Sequence, residues 1–192
     1  TNLDPRPDLQ AILLTHGHFD HAGGLADLQR EFPDATTYLP ALEQTMFELL
    51  PQQGSALFGL PDFDRPCGRI NRYLADGDHL DVGEWRFHFL STPGHTPGQG
   101  CYYDDTYVFV GDTLFAGSIG RTDFPLSDPE LMEQSLRRLL ELPGHLIVCS
   151  GHGPVTTLEQ ELKTNPYLDA VRRARGVAGP GGWSSDAAPR WS

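Results

Sequence analysis

The sequence predicts an α/β fold in which helices pack on sheet. Short apolar runs with the character of buried strands alternate with segments whose apolar residues recur at helical spacing, and no internal repeat interrupts this order. With 192 residues, 39% of them hydrophobic, the chain is long enough for one domain with a sizeable core.

Leu9 to Thr15 (LQAILLT) is an apolar run ending at a polar, Gly-containing turn, the pattern of a buried strand. From His21 to Phe32, residues Leu25, Leu28 and Phe32 recur at helical spacing, and Pro33 stops the helix. Thr36 to Leu39 reads as a brief strand, and Pro40 suits the first turn of a helix over Ala41 to Leu50. Pro51 to Arg72, rich in Gly, Pro and Asp, reads as a long loop, either a lid over a site or a solvated spacer. Asp76 to Asp78 is a turn, with His79 still in it, and Trp85 to Ser91 alternates apolar and polar residues as a strand does. Cys101 to Tyr103 and Tyr107 to Val110 form a hairpin around Asp104-Asp105.

Gly111 to Phe124 reads as a Gly-rich loop. Asp128 caps the next helix, with Pro129 in its first turn and Glu130 near its positive end. Leu131, Leu136, Leu139 and Leu140 supply its apolar face. Leu146 to Cys149 is a buried strand, Gly151 to Pro154 a turn, and a last helix runs to about Arg175. Residues 176–192, rich in Gly, Pro, Ser and Ala, read as a flexible tail, so the expected organisation is a domain over 1–175 followed by that tail.

A net charge of −12 argues against a nucleic-acid partner, because phosphate backbones are held by clustered Lys and Arg. Cys67, Cys101 and Cys149 form no CxxC pair and read as reduced thiols of a cytoplasmic protein. No apolar run is long enough to span a membrane, and no basic-then-apolar leader is present. The chain starts at Thr1 with its strongest motif only at His16, which reads as a fragment or a trimmed chain.

The chemistry concentrates in THGHFDH, Thr15 to His21. Four potential metal ligands, His16, His18, Asp20 and His21, fall just past a strand. Residues i and i+2 of an extended chain point the same way, so His16 and His18 can share one metal, while Asp20 and His21 lie further round the turn and can face a second. Two-metal sites need more ligands and a bridge. His95 in TPGHTPG, Asp112 in VFVGDT and His152 in VCSGHGP each follow a strand, and in open α/β sheets such ends converge on one edge. His79, His88 and His145 read as ordinary surface or sheet histidines.

HxHxDH, PGHTPG, GDTLF and SGHGP, in this order, resemble the metallo-β-lactamase superfamily. Within it the chain is similar to glyoxalase II (hydroxyacylglutathione hydrolase) and its compact single-domain bacterial relatives, from Leu9 to about Leu168. The resemblance implies an αββα sandwich with the site along one edge, here lacking its N-terminal strands and exposing an apolar sheet face. It assigns His16, His18 and His95 to one metal, Asp20, His21 and His152 to a second, and Asp112 to the bridge between them. It implies two divalent ions, zinc first with iron or manganese as alternatives, and a bridging hydroxide that attacks a thioester of the S-acyl-glutathione type, with Asp20 and Asp112 as the catalytic carboxylates. A thiol of pKa about 8.5 leaves without a separate acid, and none is apparent. Arg121 stands where glyoxalase II places a lysine that contacts the glutathione carboxylate; the alternative is an arginine that braces its loop against Asp123. Two departures bear on glutathione specificity. Gly153-Pro154 replaces the family's Glu-Tyr, and only a short helix with Arg172, Arg173 and Arg175 stands where larger members add a helical domain.

A rival resemblance is to persulfide dioxygenases, which share the GRTDF loop and the segment Asn165 to Leu168. It implies one iron on His16, His95 and Asp112. Ile119 and Gly153 depart from that family's cysteine and aspartate. A β-lactamase of the first subclass would carry Cys where Asp112 stands. The implied partner is a small-molecule thioester, and the oligomeric state is left open.

Overall fold

The computed structural model describes residues 8–59 and 67–175. The expected tail at 176–192 lies outside the described residues. Three parallel strands form the first sheet, β1 (Ala11–Leu13), β2 (Thr36–Pro40) and β3 (Arg72–Leu74), in that order. The second sheet holds β4 (His79–Val82), β5 (Trp85–Ser91), β6 (Gly100–Tyr103), β7 (Tyr107–Gly111), β10 (Ile147–Ser150) and β11 (Thr156–Thr157). Its order is β11-β10-β7-β6-β5-β4, antiparallel except between β7 and β10. Two short strands, β8 (Leu114–Phe115) and β9 (Ser118–Ile119), make a separate hairpin.

The layers follow from which face of each strand is apolar. Ile12, Leu14 and Leu39 of the first sheet pack on one side against Ala22 of α1 (Phe19–Ala22), Leu25 of α2 (Leu25–Glu31) and Phe47 of α3 (Gln44–Glu48). Leu13 and Tyr38 turn the other way and meet Leu80, Phe89 and Tyr102 of the second sheet. Val108, Val110 and Val148 point away from that contact, onto Met132, Leu136 and Leu139 of α5 (Pro129–Leu139) and Leu158 of α6 (Leu158–Thr164). The result is helices, sheet, sheet, helices, the αββα sandwich. β1 is apolar without alternation because both of its faces are covered. The two sheets are also stitched by polar contacts: Tyr102 Oη donates to the Leu14 carbonyl at 2.8 Å, and Gly100 N to the Thr15 carbonyl at 3.0 Å. The inter-sheet face of the second sheet is not wholly covered by the described residues: Phe109 is 40% exposed.

Several elements differ from the sequence reading. The segment from Pro51 begins as a helix, α4 (Leu50–Phe58), because a proline in the first helical turn forfeits no hydrogen bond and Gln and Ala continue it. The end of the expected loop is β3, and its residues 60–66 lie outside the described ones. The helix expected over His21 to Phe32 is two, α1 and α2, divided at Gly23-Gly24. The expected helix over Ala41 to Leu50 opens as a 3₁₀ turn, Ala41–Glu43, before α3. His79 belongs to edge strand β4 and pairs with His88, not to the preceding turn. The Gly-rich loop after β7 contains the β8-β9 hairpin. The last helix is broken at Asn165 into α6 and α7 (Asp169–Arg175), since the residue before Pro166 is driven from helical geometry.

On α5, Met132 rather than Leu131 faces the core; Leu131 is half exposed. The cap is as expected: Asp128 Oδ1 accepts from the amides of Glu130 (2.8 Å) and Leu131 (3.0 Å), and Asp128 N donates to the Gly94 carbonyl beside His95. Asp128→Ala is expected to cost about 1 kcal/mol, read as a lowered urea midpoint of the metal-free protein at unchanged slope.

Candidate metal centre

Each donor sits just beyond the end of a strand. β5, β7 and β10 run the same way, so the loops that follow them leave the second sheet at one edge. These loops carry His95, Asp112 and His152. β1 delivers His16 and His18 to the same edge, and the chain then winds at once into α1, whose first turn presents Asp20 and His21. All seven residues singled out in the sequence as ligands are thereby brought together.

Among the described residues, His, Cys, Asp and Glu side chains suited to a metal ion form three overlapping clusters: His16, His18 and His95; His16, His21 and Asp112; Asp20, His21 and His152. Within each, the ligand atoms lie within 4.8 Å of one another. His18 Nδ1 faces His95 Nε2 at 2.9 Å, and His152 Nε2 stands 3.1 Å from Asp20 Oδ2. Asp112 lies between: Oδ1 is 3.3 Å from His21 Nε2, while Oδ2 is 3.5 Å from His95 Nε2 and 3.6 Å from His152 Nε2. None of the other histidines, His79, His88 or His145, joins these clusters.

The residues fit a cation. His16 Nε2, His21 Nε2 and Asp112 Oδ1 are buried without a hydrogen-bond partner, and buried polar atoms are ordinarily paired. Mixed imidazole and carboxylate donors suit zinc, iron or manganese. Three of the imidazoles, His16, His18 and His95, are also held towards the neutral form that ligates. Burial, then the neighbouring histidines, pushes His16 well below its ordinary pKa, and burial with His95 lowers His18 to about 4. Burial likewise lowers His95, against the opposing pull of the Arg121 carbonyl and Asp112. At His21 burial acts downward too, but the Asp112 and Asp20 carboxylates outweigh it and the pKa rises. Burial would raise Asp112, yet the facing His21, His95 and His152 hold it below the usual carboxylate range.

A second ring of contacts orients these side chains. His95 Nδ1 is 2.8 Å from the Arg121 carbonyl and His16 Nδ1 is 3.1 Å from Thr15 Oγ1, which leaves each Nε2 turned to the centre. Buried Gln99 accepts from the Asp112 amide at 3.2 Å and donates to Thr113 Oγ1 at 2.7 Å, and Thr113 pairs with Thr92 at 2.9 Å. Gly151 is required by closeness: a Cβ there would stand 2.4 Å from His21 Cε1 and 2.5 Å from Asp112 Oδ1. Sequence reasoning missed Gln99, Thr92 and Thr113. Their one signal was position, inside or beside PGHTPG and GDT.

The donors open onto a cleft of about 460 Å³, lined also by Gln53, Phe115, Arg121 and Phe124. Arg121 donates from Nε and Nη2 to the two oxygens of Asp123, both at 2.8 Å, and stacks 4.3 Å from the Phe124 ring centroid. The bracing role is therefore present, at the cleft wall. The β8-β9 hairpin that forms this wall is anchored from behind. Glu161 Oε2 accepts from Gly117 N at 2.8 Å, and Asn165 Nδ2 donates to the carbonyls of Phe115 (3.2 Å) and Ser118 (3.0 Å).

An αββα sandwich that gathers histidines and aspartates at one edge defines a metal-dependent hydrolase. The chain belongs to the metallo-beta-lactamase superfamily, whose family model matches residues 3–152. It is 39% identical over 168 residues to hydroxyacylglutathione hydrolase GloC of Haemophilus influenzae, an alignment covering 85% of this chain and 77% of that one. Among solved structures it resembles TTHA1623 in a di-iron-bound form (42% identity, TM-score 0.72, 82% of this chain and 77% of that one). It also resembles the B3 metallo-beta-lactamase BLEG-1 (37% identity, TM-score 0.76, 86% and 80%). No helix among the described residues is long and apolar enough to cross a membrane.

Asp112→Ala is expected to lower metal content and to cut hydrolysis by several orders of magnitude while circular dichroism stays unchanged. Elemental analysis after gel filtration checks this, and near wild-type metal content would remove Asp112 from the candidate ligands.

Proposed function

We propose that the chain is a dinuclear-metal thioesterase acting on thioesters of the S-acyl-glutathione type. The observation that carries this reading is the placing of Asp112, whose two oxygens lie against histidines of different clusters, His21 on one side and His95 on the other. One ion needs no such bridge and has no use for Asp20, His21 and His152. In this reading His16, His18 and His95 hold one ion, Asp20, His21 and His152 the other, and Asp112 both. Two divalent ions, zinc with iron or manganese as alternatives, would supply a water of lowered pKa and polarise the substrate carbonyl.

The chain's own groups do the rest. Phe115 and Phe124 give the cleft apolar walls that exclude water from the reacting carbonyl. Asp20 Oδ2 fixes the exposed His152 ring at the mouth. Arg121, its Nε and Nη2 held by Asp123, keeps Nη1 for a carboxylate of the substrate. A thiolate leaves without protonation, so this reading needs no acid beyond the groups assigned to the metals. Cys67, Cys101 and Cys149 form no disulfide, which suits the reducing cytoplasm where glutathione thioesters arise. The likeness to hydroxyacylglutathione hydrolase supports the substrate class.

The first test is elemental analysis of protein purified without chelator, with turnover of an S-acyl-glutathione. Two metals per chain and thioester hydrolysis are expected. One iron per chain with oxygen uptake on glutathione persulfide would replace this reading by the dioxygenase. A β-lactam is the second substrate to assay, given the likeness to BLEG-1. Arg121→Ala is expected to raise KM for the anionic thioester about tenfold while kcat changes little, the signature of lost uniform binding. An unchanged KM would leave Arg121 as a loop brace alone.

A further inference from the structure

Glu43 ends the 3₁₀ turn before α3 and is fully buried. A carboxylate is costly to bury, so its contacts matter. Oε2 accepts from the Gly17 amide at 2.7 Å, and Oε1 accepts from the Gly98 amide at 2.7 Å. Gly17 separates His16 from His18. Gly98 closes the loop that carries His95. One side chain thus ties together two backbone segments, far apart in sequence, that supply the three histidines of one cluster.

The packing around it shows a built junction. A Cβ on Gly17 would lie 2.7 Å from Phe47 N, and one on Gly98 would lie 2.6 Å from the Leu42 carbonyl carbon. Both loops therefore rest backbone to backbone on the Leu42 to Phe47 segment, a closeness only glycine permits. Gln53 of α4 adds a second clasp: Nε2 donates to the Gly17 carbonyl (3.0 Å) and the Met46 carbonyl (2.9 Å), and Oε1 accepts from Phe19 N at 3.1 Å. The peptide groups on either side of Gly17 are thus held from beneath the site. Glu43 accepts no hydrogen bond from Asp20, His21 or His152.

We propose that Glu43 is a positioning residue for the metal centre, fixing the separation of His16 and His18 from His95 before any ion arrives. The proposal rests on the metal-site reading above for what these histidines hold, but not on the number of ions. A glutamine in its place keeps the shape and loses one acceptor, setting an amide N–H against the N–H of Gly17 or Gly98.

The test is cobalt(II) titration of the metal-free wild-type protein and Glu43→Gln, followed by visible absorption with a competing chelator. In Glu43→Gln, affinity of at least one cobalt position should fall about 10–100-fold with an altered cobalt spectrum, while circular dichroism stays as in wild type. Wild-type affinities in a folded variant would overturn the proposal. Hydrogen exchange of the metal-free wild type gives an answer even if the variant does not fold. Protected Gly17 and Gly98 amides support the clamp, and exchange at open-loop rates overturns it. If only one cobalt binds per chain, the dinuclear reading fails while the clamp stands, provided Glu43→Gln weakens that ion.

Discussion

Three buried atoms without hydrogen bonds, His16 Nε2, His21 Nε2 and Asp112 Oδ1, set the constraint on which the rest of the structure depends. His21 Nε2 and Asp112 Oδ1 at least face each other at 3.3 Å, but His16 Nε2 meets no donor or acceptor, at a cost of about 1–3 kcal/mol. The cost is local, so the fold must hold the edge rigid from outside it. It does so with polar groups that face away from the centre: Thr15 and the Arg121 carbonyl on the far nitrogens of His16 and His95, and Gln99 beneath the Asp112 amide. The two sheets meet at the same place, through Gly100 and Tyr102, so that loops from both can share one centre. An ion that satisfies the unmet atoms adds its binding free energy to that of folding.

The clusters differ in how they meet solvent. His16 is fully buried, whereas the His152 side chain is 55% exposed and that of Asp20 35%. The buried side rests on the Glu43 and Gln53 contacts, and the open side forms the mouth of the cleft. Burial on one side favours retention of an ion, and access on the other favours entry of a small molecule. The arrangement suits the superfamily to which the chain belongs, and what the cleft admits is decided by the walls around this mouth.

Much of this was legible in the sequence because the chemistry is local. HGHFDH places four donors in one turn, and three further donors each follow a recognisable strand. β1, β5, β6, β7, β10 and the cap of α5 also have local signatures in alternation, apolar runs and Asp-Pro. What could not be read depends on contacts across the chain. Glu43 is one acid among 26 acidic residues, and only the fold shows that its oxygens meet Gly17 and Gly98. Gln53 was hidden in a segment whose Gly and Pro content mimics a loop. β4 was hidden because an edge strand with one buried residue, Leu80, leaves little pattern. The opposite error, reading helices too long, came where glycine pairs or Asn-Pro broke a continuous apolar period.

The anchoring of the β8-β9 hairpin by Glu161 and Asn165 separates two tasks within one edge. The hairpin is tied to Asn165 through the carbonyls of Phe115 and Ser118 and to Glu161 of α6 through the amide of Gly117, and the GRTDF loop continues from it. Of the seven donors only Asp112 is contiguous with that hairpin, and it is held independently through Gln99. The side chains of the wall can therefore diverge in sequence, provided its anchor, the Arg121 carbonyl that orients His95 and the close approach of Gly120 to Asp112 are kept. A scaffold of this kind lends itself to exchange of the wall as a cassette, with one metal centre serving many substrates.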